Sequence, residues 1–323
     1  MSLMDYMQIR YIKLHFTLEI LEGGYIPRDK VSALRGGMGQ ALLTANCIYD
    51  DQYREGVSSK DDKCEKCGFS EDCLVQRLMY PKMIIRPAFM TTKDNEGYII
   101  ECEDSREWVK SGDKLRFNLL LFGRTIVYFQ HYLQAFIDFG QKGIGVANIE
   151  FRVSGVTNTK GNTLFDGTHF LKEQYRVMHV SDYVKYRLQS RDIVNLRKTR
   201  CARLAFHSLT TIGYNTEELK AFRPEAIIAA AERRLLIMNC YEGHGEYKEN
   251  GRIPYEDHIP LMVREKSREG SMKRQNGNLH GIKGWCDLEN IDDIALQLLI
   301  AGELYHIGKN TTFGFGRYTL VES

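Results

Sequence analysis

Twice along this chain an apolar helical stripe ends in a glycine-rich turn and leads directly into a strand pattern. A unit that recurs in this way has to close a core twice. The first copy reads Phe136-Ile137-Asp138-Phe139-Gly140-Gln141-Lys142-Gly143-Ile144-Gly145 before a strand near residues 149–153. The second reads Leu304-Tyr305-His306-Ile307-Gly308-Lys309-Asn310-Thr311-Thr312-Phe313-Gly314-Phe315-Gly316 before a strand at residues 317–321. The segments ahead of each copy also correspond. In residues 11–20, Ile12, Leu14, Phe16, Leu18 and Ile20 alternate with polar neighbours, the period of a half-buried strand. After Gly23-Gly24 the positions Val31, Leu34, Met38, Leu42 and Ala45 recur at helical spacing, with Pro27 placed ahead of the helix where it breaks nothing. Extended segments at residues 83–90, 98–102 and 115–122 follow, then a helix through Ile126, Phe129, Leu133, Phe136 and Ile137 that Gly140 is expected to end.

The order is therefore β-α-β-β-α-β, a ferredoxin-like arrangement. The second half repeats it. Residues 203–207 read as a strand, Pro224 opens a helix carrying Ile227, Ile228, Ala231, Leu235 and Met238, and strands are expected at residues 258–263 and 272–285. Ile291, Ile294, Leu298, Gly302 and Tyr305 then form a helical stripe ending near Gly308. A length of 323 residues suits two domains. The fold class expected is α+β, with tandem ferredoxin-like, RRM-related domains and a cysteine-rich insertion loop. The boundaries are 1–155 for the first domain with its insertion at 47–73, 156–199 for a connecting or inserted segment, and 200–323 for the second domain.

Eight cysteines in a chain whose first residues carry no basic or apolar leader argue against a disulfide framework. Four of them, Cys47, Cys64, Cys67 and Cys73, give the spacing C-x16-C-x2-C-x5-C within a polar segment poor in periodicity. Two thiols separated by two residues can bind one tetrahedral ion, and four close its shell, so a zinc or iron-sulfur centre here is structural rather than hydrolytic. The competing reading is free cysteines packed near one another. No apolar run reaches the roughly 18 to 20 residues of a membrane helix, and a cytoplasmic location is expected by default.

Formal net charge is only +2, but its distribution is uneven. Residues 182–203 hold seven basic and two acidic side chains, and residues 264–283 hold six and two. The second stretch includes Arg264, Lys266, Lys273 and Arg274. Two such stretches in a nearly neutral chain suit a groove for a polyanion, and equally suit solvated faces. Each glycine-rich turn also has a cation nearby: Lys142 beside Gly143 in the first, Lys309 and Arg317 around Gly314 and Gly316 in the second. Glycines without side chains allow successive main-chain N–H groups to face a phosphate, whereas the simpler reading is a tight helix-to-strand connection.

These residues carry a resemblance. Leu34-Arg35-Gly36-Gly37-Met38-Gly39-Gln40-Ala41-Leu42 followed by the four cysteines, Arg86-Pro87 opening a strand, and the string from Leu304 to Tyr318 are similar to the CRISPR precursor-crRNA processing endoribonucleases of the RAMP superfamily. The resemblance extends over nearly the whole chain. It implies an RNA-binding glycine-rich loop in the second domain and cleavage of CRISPR repeat RNA to mature crRNA with no catalytic metal. The partners it implies are repeat RNA, crRNA and other CRISPR-associated subunits. The chemistry is attack of a 2′-hydroxyl on the neighbouring phosphate, leaving 2′,3′-cyclic phosphate and 5′-hydroxyl ends. Many relatives place a histidine in or just before the first helix, and this chain has none between residues 22 and 50. Lys30 and Arg28 are the expected phosphate stabilisers there, with Tyr25 as proton donor or positioning group. His207, at the end of the second domain's first strand, is a reserve general acid or base. The alternative function is a non-catalytic RAMP subunit that binds RNA within a CRISPR interference complex.

Overall fold

The computed structural model describes residues 2–47, 67–81, 83, 87, 97–243, 255–274 and 277–322. The chain divides into two compact units, Tyr11–Lys82 with Gly97–Val177, and Met1–Arg10 with Met83–Glu96 and Met178–Ser323. Of the span expected to connect the repeats, residues 156–177 fall in the amino-terminal unit and residues 178–199 in the carboxy-terminal one.

In the amino-terminal unit, β1 (Arg10–Ile20), β2 (Gly24–Tyr25) and α1 (Lys30–Asn46) are followed by α2 (Leu74–Met79) and β3 (Tyr98–Glu101). Then come β4 (Trp108–Val109), β5 (Lys114–Phe122), α3 (Phe129–Lys142), β6 (Phe151–Asn158) and β7 (Thr163–Phe165). The main sheet runs β3-β5-β1-β6-β7, and each of these neighbours pairs antiparallel. The alternation in β1 does what its period requires: Ile12, Leu14, Phe16, Leu18 and Ile20 are buried. Phe16 stacks on Phe117 at 4.8 Å, and Phe136 of α3 closes on both rings at 5.2 and 4.9 Å. Leu34, Met38 and Leu42 bring α1 onto the same core. Gly140 does not end α3. The helix continues to Lys142 and is capped by Gly143 at φ +80°, while a Cβ on Gly140 would lie 2.2 Å from the Phe151 carbonyl oxygen. Gly140 is thus a point of close helix-to-strand approach, a need that helical periodicity does not reveal. The strand expected at residues 83–90 lies largely outside the described residues.

In the carboxy-terminal unit, α4 (Val180–Gln189) and α5 (Arg191–Thr199) precede β8 (Ala202–Phe206), β9 (Gly213–Tyr214), β10 (Glu217–Glu218) and α6 (Pro224–Glu242). The unit continues with β11 (Leu261–Arg274), β12 (Gly277–Glu289), α7 (Asp293–Tyr305) and β13 (Tyr318–Val321). The sheet order is β11-β12-β8-β13. Numbering only the strands of the repeat, both sheets read second, third, first, fourth, so both are ferredoxin-like. Pro224 is the first residue of α6, where its missing N–H has no intrahelical partner to lose, and Gly243 at φ +83° ends the helix. The short helix Leu3–Tyr6 belongs to this unit: Asn239 donates to the Tyr6 carbonyl, and the Val180 and Ser181 N–H groups donate to Ile9 and Met7. Among the described residues no helix is long and apolar enough to cross a membrane.

One expectation for this unit is corrected. Strands placed at residues 258–263 and 272–285 are instead a single long hairpin, with β11 paired to β12 from Leu261↔Glu289 to Arg274↔Gly277. Tyr255–His258 is a 3-10 turn. Beyond Val263 β11 alternates charges rather than apolar and polar residues, so a search for hydrophobic period two misses it.

Candidate nucleic-acid interface

The two faces of the carboxy-terminal sheet have opposite chemistry. Leu204, Phe206, Ile282, Cys286, Leu288 and Tyr318 are buried on the helix side, where Tyr318 Oη donates to the Leu299 carbonyl of α7 at 2.5 Å. Side chains alternate along a strand, so the neighbouring positions point the other way. The register places Arg203 opposite Asp287, Ala205 opposite Trp285, Arg264 opposite Asp287, Lys266 opposite Trp285 and Arg268 opposite Lys283. Five cations thus share one face with the Asp287 carboxylate and one indole. His207 continues the same face beyond β8, with Nε2 2.8 Å from Thr319 Oγ1, and its N–H donates to the Arg317 carbonyl.

The carboxylate is the fixed point of this face. Asp287 is 1% exposed and receives Arg203 Nε at 2.6 Å and Nη2 at 3.0 Å, while Arg264 Nη2 lies 2.9 Å from its second oxygen. The hydrogen bonds from Arg203 hold the Asp287 carboxyl below the usual carboxylate range, and those same bonds raise the Arg203 guanidinium. Arg203 also lies over the Trp285 ring, 4.0 Å from its centroid. Further out the pattern changes. Arg268 and Lys283 are directly opposed, and among the described residues neither they nor Lys266 has a carboxylate partner. Like charges facing each other across a strand pair destabilise the pair, and an anion laid over them relieves that repulsion.

Of the cations predicted from the charge stretches, Arg264 and Lys266 lie on this face. Lys273 is exposed on the opposite face near the hairpin end, and Arg274 ends β11 opposite Gly277. Arg203, Arg268 and Lys283 belong to the basic stretches of the sequence without being chosen there as contacts, and Trp285 and Asp287 carry no such signal. The period of two in charge, Arg264-Glu265-Lys266-Ser267-Arg268-Glu269, sorts Arg264, Lys266 and Arg268 to one face once the segment is known to be a strand.

Most amides of the glycine-rich loop are engaged inside the fold rather than turned outward. The N–H groups of Ile307, Lys309, Phe313, Gly314, Phe315 and Gly316 donate to the carbonyls of Gly316, Thr211, Asn310, Thr311, Asn310 and Leu209, and that of Arg317 donates to Ser208 Oγ. Gly316 is required because its φ is +75° and a Cβ would fall 1.8 Å from the Ile307 carbonyl oxygen. Gly314, at φ +74°, ends a 3-10 turn, Thr311–Phe313. The loop is a tight, internally bonded connection that presents Lys309, paired with Glu218 at 3.1 Å, and the half-buried Arg317. The first turn behaves alike: the Gly143 amide donates to the Phe139 carbonyl and Lys142 Nζ lies 3.0 Å from Thr44 Oγ1.

In the amino-terminal unit the turn before α1 separates its three candidates. Tyr25 is 68% exposed, set edge-on to Trp108 at 4.8 Å, and Arg28 is also exposed. Lys30 is 2% exposed, and its Nζ donates to the Pro27 carbonyl at 2.6 Å and to the Arg106 carbonyl. Burial lowers its pKa, with Asp104 opposing that trend. Placed this way, Lys30 ties the turn to the carbonyls of Pro27 and Arg106. Cys47 caps the end of α1 and Cys73 the start of α2; with Cys67 they are half-buried free thiols, and Cys64 lies outside the described residues. Among the described residues no trio of His, Cys, Asp or Glu is gathered as a metal site.

Two family models match the chain. One, AF_1859_N, is described as an N-terminal domain and covers residues 9–179; the other, CRISPR-associated endoribonuclease Cas6, covers residues 204–318. The carboxy-terminal segment, residues 204–318, thus matches the family of CRISPR-associated Cas6 endoribonucleases, and residues 9–179 match a model described only as an N-terminal domain. No curated protein sequence matches it significantly. Among solved structures, a Thermus thermophilus Cas6 is similar at TM-score 0.51 and 12% identity, over 97% of this chain and 99% of that one. A product complex of the same protein gives TM-score 0.52 and 12% identity, over 96% and 99%. A partial Cas6-RT-Cas1–Cas2 complex gives TM-score 0.58 and 11% identity over 98% of this chain, which spans only 46% of that chain's length. At these identities the likeness is one of fold.

Proposed function

We propose that this chain is a metal-independent endoribonuclease that cleaves CRISPR repeat RNA to mature crRNA. The observation that carries the reading is the coincidence of the Cas6 match at residues 204–318 with a sheet face bearing Arg264, Lys266, Arg268 and Lys283. A phosphate backbone is the ligand that a face with more cations than carboxylates favours, with Arg317 and Lys309 as further contacts in this unit and Lys142 a separate candidate in the amino-terminal one. The reacting groups then come from RNA itself. The 2′-oxygen attacks the adjacent phosphorus as its proton passes to a base, and the P–O5′ bond breaks as a proton reaches the leaving oxygen. The products are a 2′,3′-cyclic phosphate and a 5′-hydroxyl. His207 is the imidazole at the end of the cationic face, and it serves as the acid or base, its ring positioned by Thr319. In the amino-terminal unit the exposed Arg28 and Tyr25 offer a separate contact to the RNA chain, and Lys30 is left out because it is buried.

Incubation of the purified protein with repeat RNA in EDTA tests this. Cleavage should persist, should stop with one 2′-deoxy nucleotide at the cut site, and should fall on His207→Ala by about a hundredfold or more. Cleavage of the 2′-deoxy substrate would overturn the mechanism, and tight binding of RNA that stays intact would identify a binding subunit instead. A Cas6 segment occurs in a solved assembly with Cas1 and Cas2, and we extend to this chain the same class of CRISPR-associated partner. The four thiols of Cys47, Cys64, Cys67 and Cys73 have the donor chemistry of a closed zinc or iron-sulfur site, with a structural role. Cys64→Ser should reduce bound metal measured by elemental analysis and lower the unfolding midpoint. Metal-free wild-type protein purified under reducing conditions with zinc and iron supplied would remove the site.

A further inference from the structure

Cations on an RNA-binding face do not need a carboxylate among them, and a buried one opposes a polyanion. Yet the Asp287 carboxylate sits 1% exposed in the middle of this face. We infer that Asp287 is a positioning residue for RNA recognition: it fixes the guanidinium groups of Arg203 and Arg264 in one orientation so that their remaining N–H groups meet phosphate oxygens. The inference rests on the reading of this sheet face as the RNA surface.

The geometry supports the assignment in three ways. Arg203 uses one edge of its guanidinium, Nε and Nη2, on the two carboxylate oxygens, which leaves Nη1 for another acceptor. The Trp285 ring supports the guanidinium plane at 4.0 Å, so the group cannot swing away as a free arginine does. Arg264 is held by Nη2 alone and its side chain is 66% exposed, so it also keeps donors for a ligand. Pre-ordering two long side chains removes the loss of rotamer freedom that binding otherwise imposes.

The decisive feature of the test is its sign. Asp287→Asn keeps the shape and adds one unit of positive charge, so plain electrostatics requires tighter binding of repeat RNA, whereas positioning requires weaker binding. Titrations at several salt concentrations should show affinity falling by about tenfold and a shallower salt dependence, because fewer phosphates are engaged. Arg203→Lys keeps the charge but cannot bridge and stack, and should weaken binding similarly; the double variant should be no weaker than either single one. Unchanged or tighter binding by folded Asp287→Asn overturns the inference, as do losses that simply add in the double variant. If Asp287→Asn does not fold, Arg203→Lys alone decides, with wild-type affinity overturning the assignment. A separate variant, Arg268→Ala with Lys283→Ala, tests the surface itself. Full RNA affinity there would remove this face from RNA binding altogether, whereas a loss there with undiminished Asp287→Asn binding would overturn only the positioning role.

Discussion

Lys30 shows how far a residue's chemistry depends on what folds around it. In sequence it is a cation on a glycine- and proline-marked turn, two residues from Arg28, a reasonable partner for phosphate. In the structure its ammonium is buried and donates to the carbonyls of Pro27 and Arg106, the latter 76 positions away. No local pattern reports that pairing. Lys30→Ala removes the donor from both carbonyls and should destabilise the protein by about 1–3 kcal/mol. Chemical denaturation should show the lower midpoint, while RNA affinity of the folded variant stays at the wild-type value. A selective loss of cleavage with unchanged stability would return Lys30 to the catalytic group. His207 is the converse case: its place at a strand end was legible from period two, and the structure adds its neighbour Thr319.

At the scale of the element, two adjacent glycines of α1 separate intrinsic preference from packing. A Cβ on Gly36 meets nothing within 4 Å, whereas one on Gly37 would lie 2.1 Å from the Phe139 ring. Gly36→Ala should therefore stabilise by about 0.5–1 kcal/mol through helix propensity. Gly37→Ala should destabilise by about 1–3 kcal/mol as α1 and α3 are forced apart. Thermal melts of the two variants should move in opposite directions; movement in the same direction would mean that α1 and α3 do not pack as described. Most elements were legible because their apolar periods were clean: β1, α1, α3, α6 and α7 each carry one. The hairpin of β11 and β12 was not, because its order lies in charge. The glycine-rich loop was legible as a helix-to-strand turn but not in its hydrogen bonding, since which amides point outward depends on carbonyls at Leu209 and Thr211 that only the fold brings near.

Across the whole molecule, the duplication was the most legible feature, and the reason is combinatorial. A β-α-β-β-α-β order with a fixed strand sequence in the sheet leaves few ways to cover one face with two helices, so the pattern of periods nearly determines the topology. Both units adopt the same order, yet among the described residues only the carboxy-terminal sheet carries the concentrated cationic face. The first strand of the amino-terminal sheet instead neutralises its polar side, with Lys13 on Glu101 and Glu19 between Lys114 and Arg152. Two copies of one architecture have thus diverged in electrostatics while keeping their cores.

The opposed Arg268 and Lys283 give the hairpin an ionic-strength response of its own. Small ions shield the two cations from each other, so raising salt should tighten the ribbon and slow amide exchange along it. The same ions compete with a nucleic acid for the same side chains. On the proposed RNA-binding role, firm closure of the ribbon and firm grip on a polyanion belong to opposite ends of the salt scale, and a bound strand would take over in dilute solution the shielding that counterions supply in concentrated solution.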